Sequence, residues 1–257
     1  MLKDKVVVIT GASSGIGAEI AQLVSKQGAV TILLARSLEK LKQVSEKMTG
    51  KHEIYQVDVT STEQINEVMD DILTKYQRID VLINNAGFGI FKEVADSSLE
   101  EIKSMMDVNY LGMVRCTKAA LPAMLKEKSG HIINVASVAG KMATAKSAGY
   151  TATKFAMIGF SDSLRHELKD KGITVSTVNP GPIDTPFFDI ADPSGNYVKN
   201  VKWMMLTPQK VAKAVLDVII HKKREKTIPY TANIGVKLYH LFPRTFDRFM
   251  SKMINRK

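Results

Sequence analysis

Short runs of aliphatic and β-branched residues alternate along the chain with longer segments of helical periodicity. The apolar runs are 5–10 (KVVVIT), 30–35 (VTILLA), 53–57 (EIYQV), 79–84 (IDVLIN), 130–135 (GHIINV), 173–178 (ITVSTV) and 226–229 (KTIP). Several are nearly continuous rather than alternating, the pattern of strands buried on both faces of a parallel sheet. Amphipathic segments at about 16–27, 37–48, 61–76, 98–127, 149–170 and 207–221 separate them. Each is long enough to return the chain to the start of a parallel neighbour. The pattern predicts an α/β chain with one doubly wound, seven-stranded parallel sheet and helices on both faces. No linker or composition break divides 1–230, so this stretch reads as a single domain. Residues 182–206, with Pro182, Pro186, Pro193 and Gly195, read as a mobile loop or substrate lid. Residues 231–257 read as a basic amphipathic C-terminal extension.

Composition narrows the picture further. A chain of 257 residues with 45% hydrophobic and 24% charged residues suits one ordinary globular domain. Cys116 is the only cysteine, which excludes an intrachain disulfide and reads as a helix-packing residue. The histidines at 52, 131, 166, 221 and 240 show no metal-ligand spacing, so no metal site is expected. The apolar run at Val6–Ile9 is too short for a signal peptide, and no stretch of about 18 apolar residues exists. A cytoplasmic protein is expected. The formal net charge of +10 could serve nucleic acid, an anionic membrane or an anionic ligand. No helix-turn-helix, zinc-finger or aromatic RNA-binding pattern is present, so no nucleic-acid partner is expected.

The first strand runs into Thr10-Gly11-Ala12-Ser13-Ser14-Gly15-Ile16-Gly17, and a helix follows. Glycines here allow a tight turn, close backbone approach to a diphosphate and close packing of helix on strand. The helix N-terminus offers free amides to the anion, and Ser13 and Ser14 can add hydroxyl donors. At the end of the second strand an NAD-binding chain usually carries a carboxylate for the ribose 2′-hydroxyl. This chain has Ala35-Arg36-Ser37. Arg36 is a planar cation suited to a 2′-phosphate, and Ser37 can donate another hydrogen bond. NADP(H) is the expected cofactor. Asp58-Val59 follows the third strand, and Asn84-Asn85-Ala86-Gly87 ends the fourth. The small residues of that string let the backbone approach a ribose, and asparagine side chains can cross-link neighbouring loops.

Tyr150 and Lys154 are four residues apart in a predicted helix and so share one face. An ammonium near a phenol favours phenolate, which prepares the tyrosine to exchange a proton with a carbonyl oxygen. Ser137 lies just after the fifth strand, where its hydroxyl can hold the substrate oxygen. Asn109 sits inside the long 98–127 segment.

The TGxxxGxG, NNAG and YxxxK strings, in this order and context, resemble the short-chain dehydrogenase/reductase family. The resemblance covers roughly residues 5–190 and implies a Rossmann fold with strand order 3-2-1-4-5-6-7. It implies that Asp58 caps the adenine edge. It also implies that Asn109 kinks its helix and holds a water linking Lys154 to solvent. Lys154 would also hold the nicotinamide ribose. Pro180, Gly181, Ile183 and Thr185, in the turn after the sixth strand, would lie beside the nicotinamide. A homodimer or homotetramer through helices 98–127 and 149–170 is implied as well. The expected activity is that of a carbonyl reductase, interconverting an alcohol and a ketone or aldehyde. A 3-oxoacyl-carrier-protein reductase and a non-catalytic NADP-binding regulator are the alternatives.

Trp203, Met204, Met205, Leu206, Phe187 and Phe188 would make an adaptable apolar pocket in the lid. In the extension, Tyr239, Phe242, Phe246, Phe249, Met250 and Met253 recur at helical spacing, with Arg244, Arg248, Lys252, Arg256 and Lys257 beside them. Pro243 would start such a helix. The preferred reading packs this stripe on the domain or on a neighbouring subunit. The other rests it on an anionic membrane.

Overall fold

The computed structural model describes residues 2–245. In chain order, β1 (Val6–Thr10) leads to α1 (Gly15–Lys26), β2 (Val30–Ala35) to α2 (Leu38–Ser45), and β3 (His52–Gln56) to α3 (Thr62–Tyr76). Then β4 (Val81–Asn84) precedes α4 (Leu99–Met105) and α5 (Gly112–Lys126), and β5 (Gly130–Val135) precedes α6 (Ala148–Leu168). Next come β6 (Ile173–Pro180), α7 (Phe187–Ala191), α8 (Asn196–Val201) and α9 (Pro208–His221). β7 (Glu225–Ile228) and α10 (Tyr230–Leu241) complete the described fold. All seven strands form one parallel sheet in the order 3-2-1-4-5-6-7. The fold is the expected single-domain α/β Rossmann fold.

Alternate strand residues feed two cores. Val7, Ile9, Leu33 and Ile83 face α1 and α9, packing with Ile20, Val24, Val215 and Val218. Val8, Ile32, Leu82 and Ile132 face the other way, against Ile65 and Ile72 of α3 and Cys116, Ala120 and Met124 of α5. Burial on both faces explains the continuous apolar runs. Cys116 is fully buried, as expected of a packing residue.

Three expectations needed correction. The segment 98–127 is not a regular α-helix throughout: a π-helical turn at Met106–Leu111 joins α4 to α5 without a break. The wider turn carries the buried Asn109, whose hydrogen bonds lead to neighbouring elements. The stretch 182–206 is not a plain loop. It folds into α7, α8 and a short 3₁₀ turn at Lys202–Met204, and its two ends join through Ile183 and Leu206. Prolines and Gly195 punctuate the segment without abolishing helix, because helices this short fit between them. Finally, β6 runs on through Asn179 and Pro180, beyond the expected end at 178, because β7 pairs with them.

In the extension, α10 ends at Leu241 and residues 243–245 are helical again, so a helical segment does begin at Pro243. Tyr239 is half-buried and Phe242 is exposed. The rest of the expected stripe, from Phe246 onward, lies outside the described residues. No helix among the described residues is long and apolar enough to cross a membrane.

Candidate active site

The C-terminal edge of the sheet opens into one large cavity of about 1060 Å³. At the β1–α1 turn, Gly11 and Gly15 adopt φ of +66° and +53°, values that favour glycine. A Cβ on Gly11 would lie 2.8 Å from the Ala86 backbone. The turn is therefore built for close backbone approach. The N-cap of α1, Ser14, makes no side-chain cap hydrogen bond. It shares this with α6, α7, α8 and α10, whereas α2, α3, α4 and α9 are capped by Ser37, Ser61, Ser98 and Thr207. The leading amides of α1 are thus left for a ligand, and an anion is the ligand they suit.

Gly11, Ser13, Ser14, Gly15 and Ile16 line the cavity. Gly17 does not. It is buried against the turn, where a Cβ would lie 2.2 Å from the Gly11 carbonyl oxygen. Its part is helix packing, and the expectation of direct cofactor contact is corrected accordingly.

Arg36 and Ser37 line the far end of the cavity, and no carboxylate stands at the end of β2. Ser37 spends its lone pair capping α2, accepting from the Lys40 amide at 3.3 Å, and keeps its hydroxyl proton to donate. Lys40 lines the same end. The sequence reading missed it, although a lysine in the first turn after Arg36 was a visible signal. Asp58 and Val59 also line the cavity. Asp58 Oδ1 accepts from the amide and hydroxyl of Thr60, at 3.0 and 2.9 Å, which holds the loop after β3.

Asn85, Ala86 and Gly87 form the middle of the wall. Asn85 Nδ2 donates to the Thr10 and Gly11 carbonyls, at 3.0 and 3.2 Å. The Asn85 and Ala86 amides both donate to Thr10 Oγ1. The β1 and β4 loops are thereby locked together, as the asparagines suggested, with Thr10 as an unforeseen partner. Beneath them Asn84 Nδ2 donates to Thr117 and Asn134, and Asn134 Nδ2 donates to Ser161. This buried polar chain ties β4 and β5 to α5 and α6. Single polar residues within apolar runs gave no hint of it.

Ser137, Tyr150 and Lys154 meet in the cavity wall at the far side of the glycine turn. Ser137 lies beside the Tyr150 phenol, where its hydroxyl favours the ionised form, and its Oγ donates to the Pro180 carbonyl at 3.4 Å. Its hydroxyl also caps a 3₁₀ turn by accepting from the Ala139 amide at 3.0 Å. The Lys154 ammonium lies 5.6 Å from the centre of the Tyr150 ring and donates to the Val135 carbonyl at 3.1 Å. Burial raises the Tyr150 pKa above the ordinary value, with the negative form of Tyr197 adding to it and Ser137 opposing it. Burial pulls Lys154 down to about 8. In the free protein the phenol is therefore raised, chiefly by desolvation, and not lowered as expected.

Asn109 is fully buried and does not line the cavity. Its Oδ1 accepts from the Phe88 amide, and its Nδ2 donates to the Phe88 carbonyl and to Thr153 Oγ1. Thr153 donates in turn to the Tyr150 carbonyl at 2.7 Å. Both ends of the amide are engaged by protein, so Asn109 positions the loop after β4 against α6. A π-helical turn surrounds Asn109, and the residue itself does not line the cavity.

Pro180, Gly181, Ile183 and Thr185 lie along the wall after β6, beside Ser137. An aromatic cluster closes the end of the cavity near Tyr150. Phe91 packs on Tyr150, Phe187 and Tyr197, with ring centres 5.9, 6.3 and 5.2 Å away, and Phe187 stands 5.6 Å from Tyr150. Phe187 was expected here; Phe91 and Tyr197 were not. Thr231, Ala232 and Gly235 of α10 also reach the cavity, so the extension helps to build its mouth. Among the described residues, no group of three or more His, Cys, Asp or Glu side chains converges as a metal site.

The short chain dehydrogenase family model matches residues 5–193. A fruit-fly (Drosophila melanogaster) protein, dehydrogenase/reductase SDR family protein 7-like, is 35% identical and aligns over 98% of this chain and 81% of its own. A short-chain dehydrogenase structure from Streptomyces avermitilis has a TM-score of 0.83 at 28% identity, covering 97% of this chain and 96% of that one. A metagenomic short-chain oxidoreductase in complex with NADP has a TM-score of 0.75 at 31% identity, covering 88% and 96%.

Proposed function

The chain belongs to the short chain dehydrogenase family, and from that premise we propose that this oxidoreductase is an NADP(H)-dependent carbonyl reductase. It interconverts an alcohol and a ketone or aldehyde. The observation that carries the reading is the meeting of Ser137, Tyr150 and Lys154 in one cavity with an uncapped, glycine-led helix N-terminus.

The residues present fit a nicotinamide dinucleotide phosphate. The α1 amides, Ser13 and Ser14 would hold its diphosphate, and Arg36 with Lys40 and Ser37 its 2′-phosphate. Asp58 and Val59 would flank the adenine. Lys154 would hold the nicotinamide ribose, and Gly181, Ile183 and Thr185 would border the ring. The NADP complex of a related oxidoreductase supports the choice of cofactor class. Bound in this way, the cofactor supplies or accepts the hydride.

The chain supplies the proton. With Tyr150 raised and Lys154 held near 8, the free pair rests at neutral pH as phenol and ammonium. That form gives a proton to a carbonyl oxygen, so it suits reduction. Ser137 would hold the same oxygen through its hydroxyl. As the phenol loses its proton, Lys154 stabilises the phenolate that remains. The aromatic cluster of Phe91, Phe187 and Tyr197 excludes water and favours an apolar substrate.

The test is a panel of ketones, aldehydes and a 3-oxoacyl thioester, offered to purified protein with NADPH and with NADH. Oxidation of NADPH by apolar carbonyls, faster than of NADH, is the expected result. Turnover restricted to the thioester would move the reading to the carrier-protein reductases. No turnover with any carbonyl would remove it.

A further inference from the structure

Helix α10 shows solvent an apolar stripe. Tyr230, Ile234 and Leu238 follow at intervals of four, Leu241 continues the face, and Phe242 stands just beyond its end. Their exposures are 73%, 48%, 48%, 69% and 60%. On the whole helix only Val236 is buried. An amphipathic helix normally turns its apolar face inward, so this one runs against the rule. The stripe adjoins the cavity mouth: Thr231, Ala232 and Gly235 of the same helix line the cavity together with Trp203 and Met204. Trp203 is 76% exposed.

Charge says what such a surface faces. Residues 229–257 hold six Lys or Arg against one Asp, so half of the chain's net +10 lies in its last 29 residues. Lys237 and Arg244 are exposed beside the stripe. Across the mouth, residues 196–206 add exposed Lys199 and Lys202 and contain no acid. A second copy docked here would bring two like-charged faces together. An anionic bilayer would accept the apolar side chains and neutralise the cations at once. Tyr and Trp at the margin suit the level of lipid head groups.

We propose that the exposed face of α10, with Trp203 across the cavity mouth, docks the protein on anionic lipid membrane. The mouth of the cavity then faces lipid, and a membrane-dissolved carbonyl compound reaches Tyr150 without crossing bulk water. The delivery of a carbonyl compound rests on the proposed function, whereas membrane docking concerns a surface outside the reacting groups and is read separately by flotation.

Trp203 is the only tryptophan in the chain, so its fluorescence reports on this surface alone. Full-length protein is mixed with vesicles of phosphatidylcholine containing phosphatidylglycerol, or of phosphatidylcholine alone, and analysed by flotation and by emission. Flotation with the anionic vesicles, a blue shift of Trp203, and weakening of both by added salt are expected. The Leu238→Glu/Leu241→Glu variant should bind those vesicles at least about tenfold less. Neither leucine lines the cavity, so turnover of a water-soluble carbonyl should stay at the wild-type level, which also shows that the variant is folded. Absence of flotation overturns the proposal, as does equal binding by the variant. A blue shift that grows with protein concentration without vesicles also overturns it, in favour of a second copy.

Discussion

Tyr150 and Lys154 share a helix face and a cavity wall, yet burial moves them apart in opposite senses. The phenol is held protonated and the ammonium is brought to about 8. Ser137 lies beside the phenol and opposes the rise in its pKa. Asn109 reaches the site only through Phe88 and Thr153. Its loss should therefore loosen the geometry instead of removing a chemical group. At the opposite end of the cavity, Arg36 sets the cofactor preference in the proposed reading. Arg36→Asp exchanges a phosphate donor for a repelling carboxylate. The ratio of kcat/KM for NADPH over NADH should fall by about 10- to 100-fold, the worth of one or two charge-assisted hydrogen bonds. An unchanged ratio would mean that Arg36 is only a surface cation.

Among the elements, β5 carries a testable burial effect. His131 is buried, and its Nε2 lies 2.8 Å from Ser176 Oγ, which itself donates to the Lys223 carbonyl. His131 therefore donates to Ser176 as a neutral ring. Desolvation, with a smaller contribution from Lys222, holds its pKa down to about 4 against 6.5. The unfolded chain binds the proton first, so the stability that neutral His131 permits is present above pH 6.5. It is lost as the pH falls from 6.5 towards 4. Between pH 7 and 4.5 the wild type should lose about 2–3 kcal/mol more than His131→Asn in urea unfolding. Equal losses would place the histidine in water. The β1–α1 turn supplies a second check. Gly17→Ala sets a methyl against the Gly11 carbonyl and should lower stability by about 2 kcal/mol or more, read in the same unfolding experiment.

How far these elements could be read beforehand follows from what each presents to the core. The strands were legible because two-sided burial leaves an unbroken apolar string such as VVVIT or VTILLA. The glycine turn was legible because its φ values demand glycine. α7 and α8 were not, because a helix of five or six residues lacks the length to show a period. The π turn was hidden because its cause is the set of long-range bonds made by Asn109, which no local pattern encodes. Phe91 and Tyr197 were missed for the same reason: they meet Tyr150 and Phe187 only through the fold of the lid. Every cofactor-facing residue expected from the motifs lines the cavity except Gly17, whose part is packing.

At the scale of the whole molecule, the cavity is lined by residues of the segment 182–206 and of α10 at one end of the sheet. For self-association, the surface expected from the sequence is that of the helices after β4 and β5. Leu99, Leu111 and Phe155 are exposed there. We expect a homodimer or homotetramer through this face, and Phe155→Glu should lower the mass seen by light scattering towards that of the monomer. The central claim, that Tyr150 delivers the proton for carbonyl reduction, is tested most directly by Tyr150→Phe with two readings on one sample. NADPH affinity should stay within about threefold of wild type, because the phenol is not among the phosphate-holding groups. Reduction of the best carbonyl substrate should fall by about 100-fold or more, as expected when a general acid is removed. Undiminished reduction by a folded, NADPH-binding Tyr150→Phe protein would contradict the account.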